Sequence, residues 1–219
     1  MRSDDDTRAW RFLGSTRREP LGKLTLREDV WRLPTGVEKT YPILQVGLTV
    51  GVVPFVDDTH VLLIRQFRHL AREDSWELPG GGGLPGETPE AAAQRELREE
   101  GGYRAGRLIF LSRFFPSPAY LEETAHCFIG RDLVADPLAS DDDEFFERRV
   151  VPFRDAVAMA MDDRITEAVS KVALLAAALK LGGGPRGRSP FRSDGPLRGL
   201  PQERVRRRSR RSKRPESGA

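Results

Sequence analysis

A glycine turn set directly in front of a carboxylate-rich helix constrains this chain more than any other feature. It runs from Gly81 to Tyr103 and reads GGGLPGETPEAAAQRELREEGGY. Thr88 has the hydroxyl of an N-cap, Pro89 suits the first helical position, and Glu90 favours the positive end of the helix dipole, so a helix is predicted from here. Gly101 and Gly102 should end it, because glycine adopts the left-handed conformation that closes a helix. At about 3.6 residues per turn, Glu96, Glu99 and Glu100 fall at i, i+3 and i+4 and share one face. Three carboxylates side by side repel one another, and a divalent cation relieves that repulsion. The same residues, taken alone, also suit an exposed helix of good helix formers with Arg95 and Glu99 as an i,i+4 ion pair.

The length of 219 residues suits one domain with an appendage. A single cysteine excludes a disulfide within the chain. Cys127 sits in the apolar run HCFI with no activating partner nearby in sequence, which predicts a buried strand residue rather than a nucleophile. The opening MRSDDDTRAW lacks a basic segment followed by an apolar one, and no stretch approaches the roughly 18 uninterrupted apolar residues of a membrane span. A cytoplasmic location is therefore expected. The net charge of +3 is the sum of two opposed parts. Residues 183–219 hold 12 Lys and Arg against 3 Asp and Glu, whereas residues 1–182 hold 24 against 30. An acidic folded part thus precedes a basic, Arg-rich tail that is expected to be disordered. Such a tail is either a solvated appendage or an electrostatic contact for nucleic acid or another acidic surface; without interleaved aromatics, base stacking has no support.

Along the chain, the β-formers between Trp10 and Val46, broken by the turn Pro34-Thr35-Gly36, predict two or three strands. Leu48 to Val56, the turn Asp57-Asp58-Thr59 and His60 to Phe67 predict a hairpin. Arg65-Gln66-Phe67-Arg68 brings two guanidiniums to the end of its second strand, as strand-edge charges or as phosphate contacts. His60 and His69 read as turn and strand-end residues. Further strands are predicted over 108–115, 124–129 and 145–151, and helices over 152–161 and 165–181, the latter rich enough in Ala, Leu and Val to be largely buried. Asp141 to Glu144 form an acidic loop.

The spacing of the opening stretch, Gly81, Glu87, then Arg95-Glu96-Leu97-Arg98-Glu99-Glu100-Gly101-Gly102-Tyr103, resembles the Nudix box, G-x5-E-x7-R-E-U-x-E-E-x-G-U. Only Tyr103 departs, standing where the pattern has an aliphatic residue. The resemblance extends from about Trp10 to Leu181, and within the Nudix superfamily it is most similar to the ADP-ribose pyrophosphatase branch. The R-Q-F-R strand, W-E-L-P before the glycines, the S-P-A-Y-L-E-E loop and the I-T-E-A-V-S-K-V-A-L-L helix carry it, with Pro118 lying 16 residues beyond Gly102 where that branch has a marker proline. Gly80 replaces the usual Ala, Ala119 replaces Gly and Leu121 replaces Ser.

The resemblance implies an α/β/α sandwich around a mixed β-sheet, with N-terminal antiparallel strands in residues 1–45 that serve as a dimerisation lobe, a hydrolase domain in 46–182 and the tail in 183–219. It implies a homodimer that hydrolyses a nucleoside diphosphate derivative, foremost ADP-ribose to AMP and ribose 5-phosphate. Sugar nucleotides and dinucleoside polyphosphates are neighbouring substrates, and a noncatalytic nucleotide-sensing domain with a nucleic-acid-binding tail is the alternative from another class. Glu96, Glu99, Glu100 and the Gly80 carbonyl are expected to hold Mg²⁺ or Mn²⁺, hard cations suited to oxygen ligands. Arg95 is expected to orient the glutamates and Glu87 to support them. Glu144 is expected as catalytic base, with Glu147 and Glu123 as rivals. Arg65, Arg68, Pro118 and Tyr120 are expected at the substrate.

Overall fold

The computed structural model describes residues 9–22, 24–139 and 145–182. Three strands, β1 (Arg11–Leu21), β2 (Leu24–Arg32) and β3 (Glu38–Pro54), form an antiparallel meander. Next come β4 (His60–Arg68) and β5 (Glu73–Glu77), then helix α1 (Pro89–Glu96), which continues as a π-helical turn, Leu97–Gly101. After it the chain runs through β6 (Tyr103–Phe114), β7 (Leu121–Ala135), β8 (Glu147–Pro152), α2 (Phe153–Met161) and α3 (Ala168–Lys180).

The strands make two sheets. A mixed sheet has the order β1-β2-β3-β7-β6, in which only β3 and β7 run parallel, and an antiparallel sheet has the order β5-β4-β8. The two-residue period of a strand explains why the run Val50 to Phe55 is apolar throughout. Val50 and Val52 pack with Ala92, Ala93 and Leu97 on the α1 side, while Val53 packs with Val169, Ala173 and Ala177 of α3. Helices therefore cover both faces of β3, the α/β/α sandwich that the sequence predicts.

The hairpin expected from 48–56 and 60–67 is only a turn. Asp57 accepts from the Thr59 and His60 amides, and Val56 N–H donates to the His60 carbonyl at 3.0 Å. Beyond the single bridge Phe55↔Val61 the two strands part into different sheets. The reason is that over residues 48–52 both edges of β3 are taken, one by β7 and the other by the glycine loop that precedes α1, so β4 finds its partners in β5 and β8. No apolar run announces β5, whose sequence is EDSWE, and β6 and β7 are longer than the apolar runs that announce them.

Two arms of this fold position the carboxylate helix. Its apolar side is seated on β3 through Ala92, Ala93 and Leu97, each fully buried. Its end is closed by Gly102 at φ 80°, the left-handed cap expected of the glycine pair. Truncating Leu97 to Ala should cost about 2–5 kcal/mol of stability, the usual range for a buried leucine. Urea denaturation would show it as a lower midpoint, and an unchanged midpoint would mean that the helix is not held from this side.

Candidate active site

The start of α1 is built as its sequence predicts. Thr88 adopts an extended conformation and its hydroxyl accepts from the Ala91 amide at 3.2 Å, with Pro89 at the head of the helix. The end is different. From Leu97 the helix widens into the π turn, a form that concentrates at functional sites. Glu96 and Glu100 are both buried, at 7% and 4% exposure, whereas the Glu99 side chain stays 23% exposed.

The glycine loop runs along β3 as if it were a further strand: Val52 N–H donates to the Pro79 carbonyl, Val50 N–H to Gly81, and Gly83 N–H to Leu48, all at 2.9 Å. That path brings the loop against the carboxylates. Gly80 N–H donates to the Glu100 carboxylate at 2.7 Å. A Cβ on Gly81 would lie 2.7 Å from Oε1 of Glu96, so the absence of a side chain is what lets this carboxylate in. At Gly80 a Cβ would fall 2.2 Å from the Val50 carbonyl oxygen, so the alanine usual in the resembled branch could enter here only with a backbone shift.

Arg95 ties these parts together. Its Nη1 donates to Glu96 and to Glu99, each at 2.8 Å, its Nε and Nη2 to Glu87 at 3.2 and 3.1 Å, and Nη2 also to the Gly82 carbonyl at 2.8 Å. Burial alone would lower the pKa of this guanidinium, but the contacts with Glu87, Glu96 and Glu99 outweigh it and raise it. Arg95 in turn holds Glu87 below the usual carboxylate range. Arg95, expected to orient the glutamates, is in contact with Glu96 and Glu99. Among the described residues, however, no three Asp, Glu, His or Cys side chains converge as a ready-made metal cluster. The loop and helix bring together Glu96, Glu100 and Gly80, with Glu99 drawn to Arg95, and Gly80 meets Glu100 through its N–H. The three carboxylates offer only oxygen, with no histidine or thiolate beside them, which suits a hard divalent cation.

The two arginines of β4 do not act as a pair. Three positions apart in a strand, Arg65 and Arg68 face opposite sides. Arg65 is bound to Asp74 at 2.5 Å and Glu147 at 3.0 Å and borders an open cleft of about 630 Å³ with Phe67 and Phe145. Arg68 lines a separate cavity of about 240 Å³ next to Gly80, Gly81, Gly82 and Glu167. There it makes a two-pronged contact with the buried Glu77, to which Gln66 also donates at 3.1 Å. Pro118 borders a shallow cleft with Arg27 and Phe115, and Tyr120 is 66% exposed. Of the three candidate bases, Glu147 is paired with Arg149 and Arg65, which lower its pKa, and Glu123 accepts from the Thr49 hydroxyl at 2.7 Å. Glu144, the acidic loop from Asp141 and the tail 183–219 lie outside the described residues. Burial pushes the Cys127 thiol up to about 12, so it carries no thiolate at neutral pH.

Three contributors escape sequence reasoning. Glu77 braces Arg68, Glu167 caps α3 and faces the cavity, and Ser170 accepts from the Leu78 amide at 2.9 Å just ahead of the glycines. Glu77 stands in W-E-L-P and Glu167 and Ser170 in I-T-E-A-V-S-K-V-A-L-L, but neither run shows the contacts; Ser170 lies 92 residues from its partner, beyond any local pattern.

A NUDIX domain matches residues 46–172, and the chain belongs to that family. It is 32% identical over 149 residues to an ADP-ribose pyrophosphatase of Bacillus subtilis (strain 168), covering 67% of this chain and 80% of that protein. Over 97 residues it is 38% identical to the ADP compounds hydrolase NudE of Escherichia coli (strain K12), covering 43% of this chain and 50% of that one. Its fold is similar to that of a crystal structure of ADP compounds hydrolase, with a TM-score of 0.70 and 26% identity over 81% of this chain and 97% of the other.

Replacing Gly81 by Ala should push the Glu96 carboxylate off its seat. The expected outcome is a loss of about tenfold or more in kcat/KM, the scale of changes to groups that orient metal ligands, with little change in Tm. Wild-type kinetics in this variant would show that the contact does not matter to the chemistry.

Proposed function

We propose that this Nudix hydrolase cleaves the pyrophosphate bond of ADP-ribose to give AMP and ribose 5-phosphate, using Mg²⁺ or Mn²⁺ held by Glu96, Glu99 and Glu100. The observation that carries the reading is the burial of Glu96 and Glu100 against the glycine loop, with Arg95 holding Glu96 and Glu99 in place. A bound cation would neutralise pyrophosphate charge and acidify a water. The protein's own residues do the rest. Glu96 and Glu100 present oxygen ligands from a helix that cannot drift, since Gly80 N–H anchors one and Gly81 seats the other. Arg68, braced by Glu77 in the cavity that Gly80, Gly81 and Gly82 line, offers a cation for a phosphate oxygen. Arg65, saturated by two carboxylates, is better suited to holding β4 to β8.

For the base we favour Glu144, because both rivals are committed elsewhere: Glu147 to two arginines and Glu123 to Thr49. Pro118 and Tyr120 are proposed to border the nucleoside. The N-terminal strands are proposed as the lobe through which two copies pair, supported by the exposed aromatics Trp10 and Phe12, the latter 5.2 Å from Trp31. The same reading places the enzyme with nucleotide substrates in the cytoplasm; among the described residues no helix is long and apolar enough to cross a membrane. Contact of the tail with nucleic acid belongs to the noncatalytic alternative.

The test is AMP release from ADP-ribose, ADP-glucose, GDP-mannose, NADH and diadenosine polyphosphates, with Mg²⁺ and with chelator. ADP-ribose should lead, and chelator should abolish turnover. Replacing Glu100 by Gln should lower kcat by about a hundredfold with the fold intact. A different leading substrate would revise the pocket, and silence across the panel would favour the nucleotide-sensing alternative.

A further inference from the structure

We infer that Arg148 is a positioning residue that sets how tightly the carboxylate turn binds its divalent cation. The inference rests on the reading that Glu96, Glu99 and Glu100 hold that cation. Arg148 belongs to β8, 48 residues beyond Glu100, and is absent from the sequence pattern that defines the site.

Its reach follows from strand register. Arg148 pairs with Ile64 of β4, on the same side of the strand as Leu62, which packs beside Gly101 at the end of the π turn. From there its Nε donates to the Glu100 carbonyl at 2.5 Å and its Nη2 to the Glu99 carbonyl at 3.2 Å. One planar guanidinium thus bridges the backbone of two adjacent carboxylate residues, a geometry that an arginine fork provides and an ammonium does not. A cation at a helix C-terminus is also favoured by the dipole. Its neighbours Glu147 and Arg149 form exposed ion pairs with each other and with Arg65 instead.

A π turn makes this tie consequential. Side-chain direction in Glu99 and Glu100 depends on how the backbone of residues 97–101 departs from the α-helix, and that departure is held from outside. The carbonyls on either side of Glu99 and Glu100 face the segment after β7, where Leu138 N–H donates to the Arg98 carbonyl and Asp136 N–H to that of Gly102, at 3.2 and 3.1 Å. Arg148 holds the carbonyls between them. Glu100 is then fixed at both ends, its backbone by Arg148 and its carboxylate by Gly80. Arg95 acts on carboxylate tips, so the two arginines divide the work.

The experiment is calorimetric titration of the full chain with Mn²⁺ alone, without substrate, for the wild type, R148M, R148K and E100Q, alongside Tm in chelator. E100Q should lose Mn²⁺ binding. R148M should weaken Kd about tenfold, as removal of groups behind metal ligands does, and R148K by about threefold because it can reach one carbonyl but not span both. A purely structural role would lower the metal-free Tm and leave the Kd of the folded protein at the wild-type value, which overturns the proposal. Should R148M fail to fold, R148K alone decides: a wild-type Kd overturns it. Wild-type binding in E100Q would instead show that the cation sits elsewhere and would sink the metal-site reading itself.

Discussion

The site depends on one guanidinium. Arg95 contacts Glu87, Glu96, Glu99 and the Gly82 carbonyl, so it fastens the loop to the helix and fixes two carboxylates that would otherwise repel. Its partial burial strengthens these bonds relative to a surface ion pair, because the competing water and the dielectric screening are both reduced. Removing it would leave carboxylates crowded at a poorly solvated seam, a cost that a bound cation could offset only in part.

The rest of the fold can be understood as holding that seam shut. The strand β3 supplies a floor on which both the glycine loop and α1 rest, the loop by main-chain hydrogen bonds and the helix by Ala92, Ala93 and Leu97. On its other face α3 packs through Val169, Ala173 and Ala177, and its Ser170 pins Leu78 at the entrance to the loop. The N-terminus of α3 therefore shares a cavity with Arg68 and the glycines. The loop is thus supported by elements that come from widely separated parts of the chain.

What the sequence made legible was local. Thr88 as cap, Pro89 at the helix start, Gly102 as its left-handed end and the contact of Arg95 with Glu99 all depend on residues within a few positions of one another. The sandwich followed from the Nudix resemblance and from apolar runs that serve two cores. The illegible features were set by tertiary partners. Whether β3 and β4 form a hairpin is decided by β7 and the glycine loop claiming the two edges of β3. The opposite facing of Arg65 and Arg68 follows from strand alternation, yet which side holds the cavity does not. The π turn had no signal in its own sequence, because a run of good helix formers suits an α-helix equally well. Glu77 braces Arg68 on the neighbouring strand and Arg148 reaches from β8 to the π turn, contacts that no spacing rule in the sequence predicts.

The central claim is that Glu96 and Glu100, seated against the glycine loop, hold the divalent cation of a pyrophosphohydrolase. Crystals of the full chain soaked in Mn²⁺ and measured near the manganese edge would test it most directly. The account predicts an anomalous peak within coordination distance of both carboxylates, absent from crystals of the E100Q variant treated in the same way. A peak at other residues, or none at a Mn²⁺ concentration that supports turnover, would contradict it.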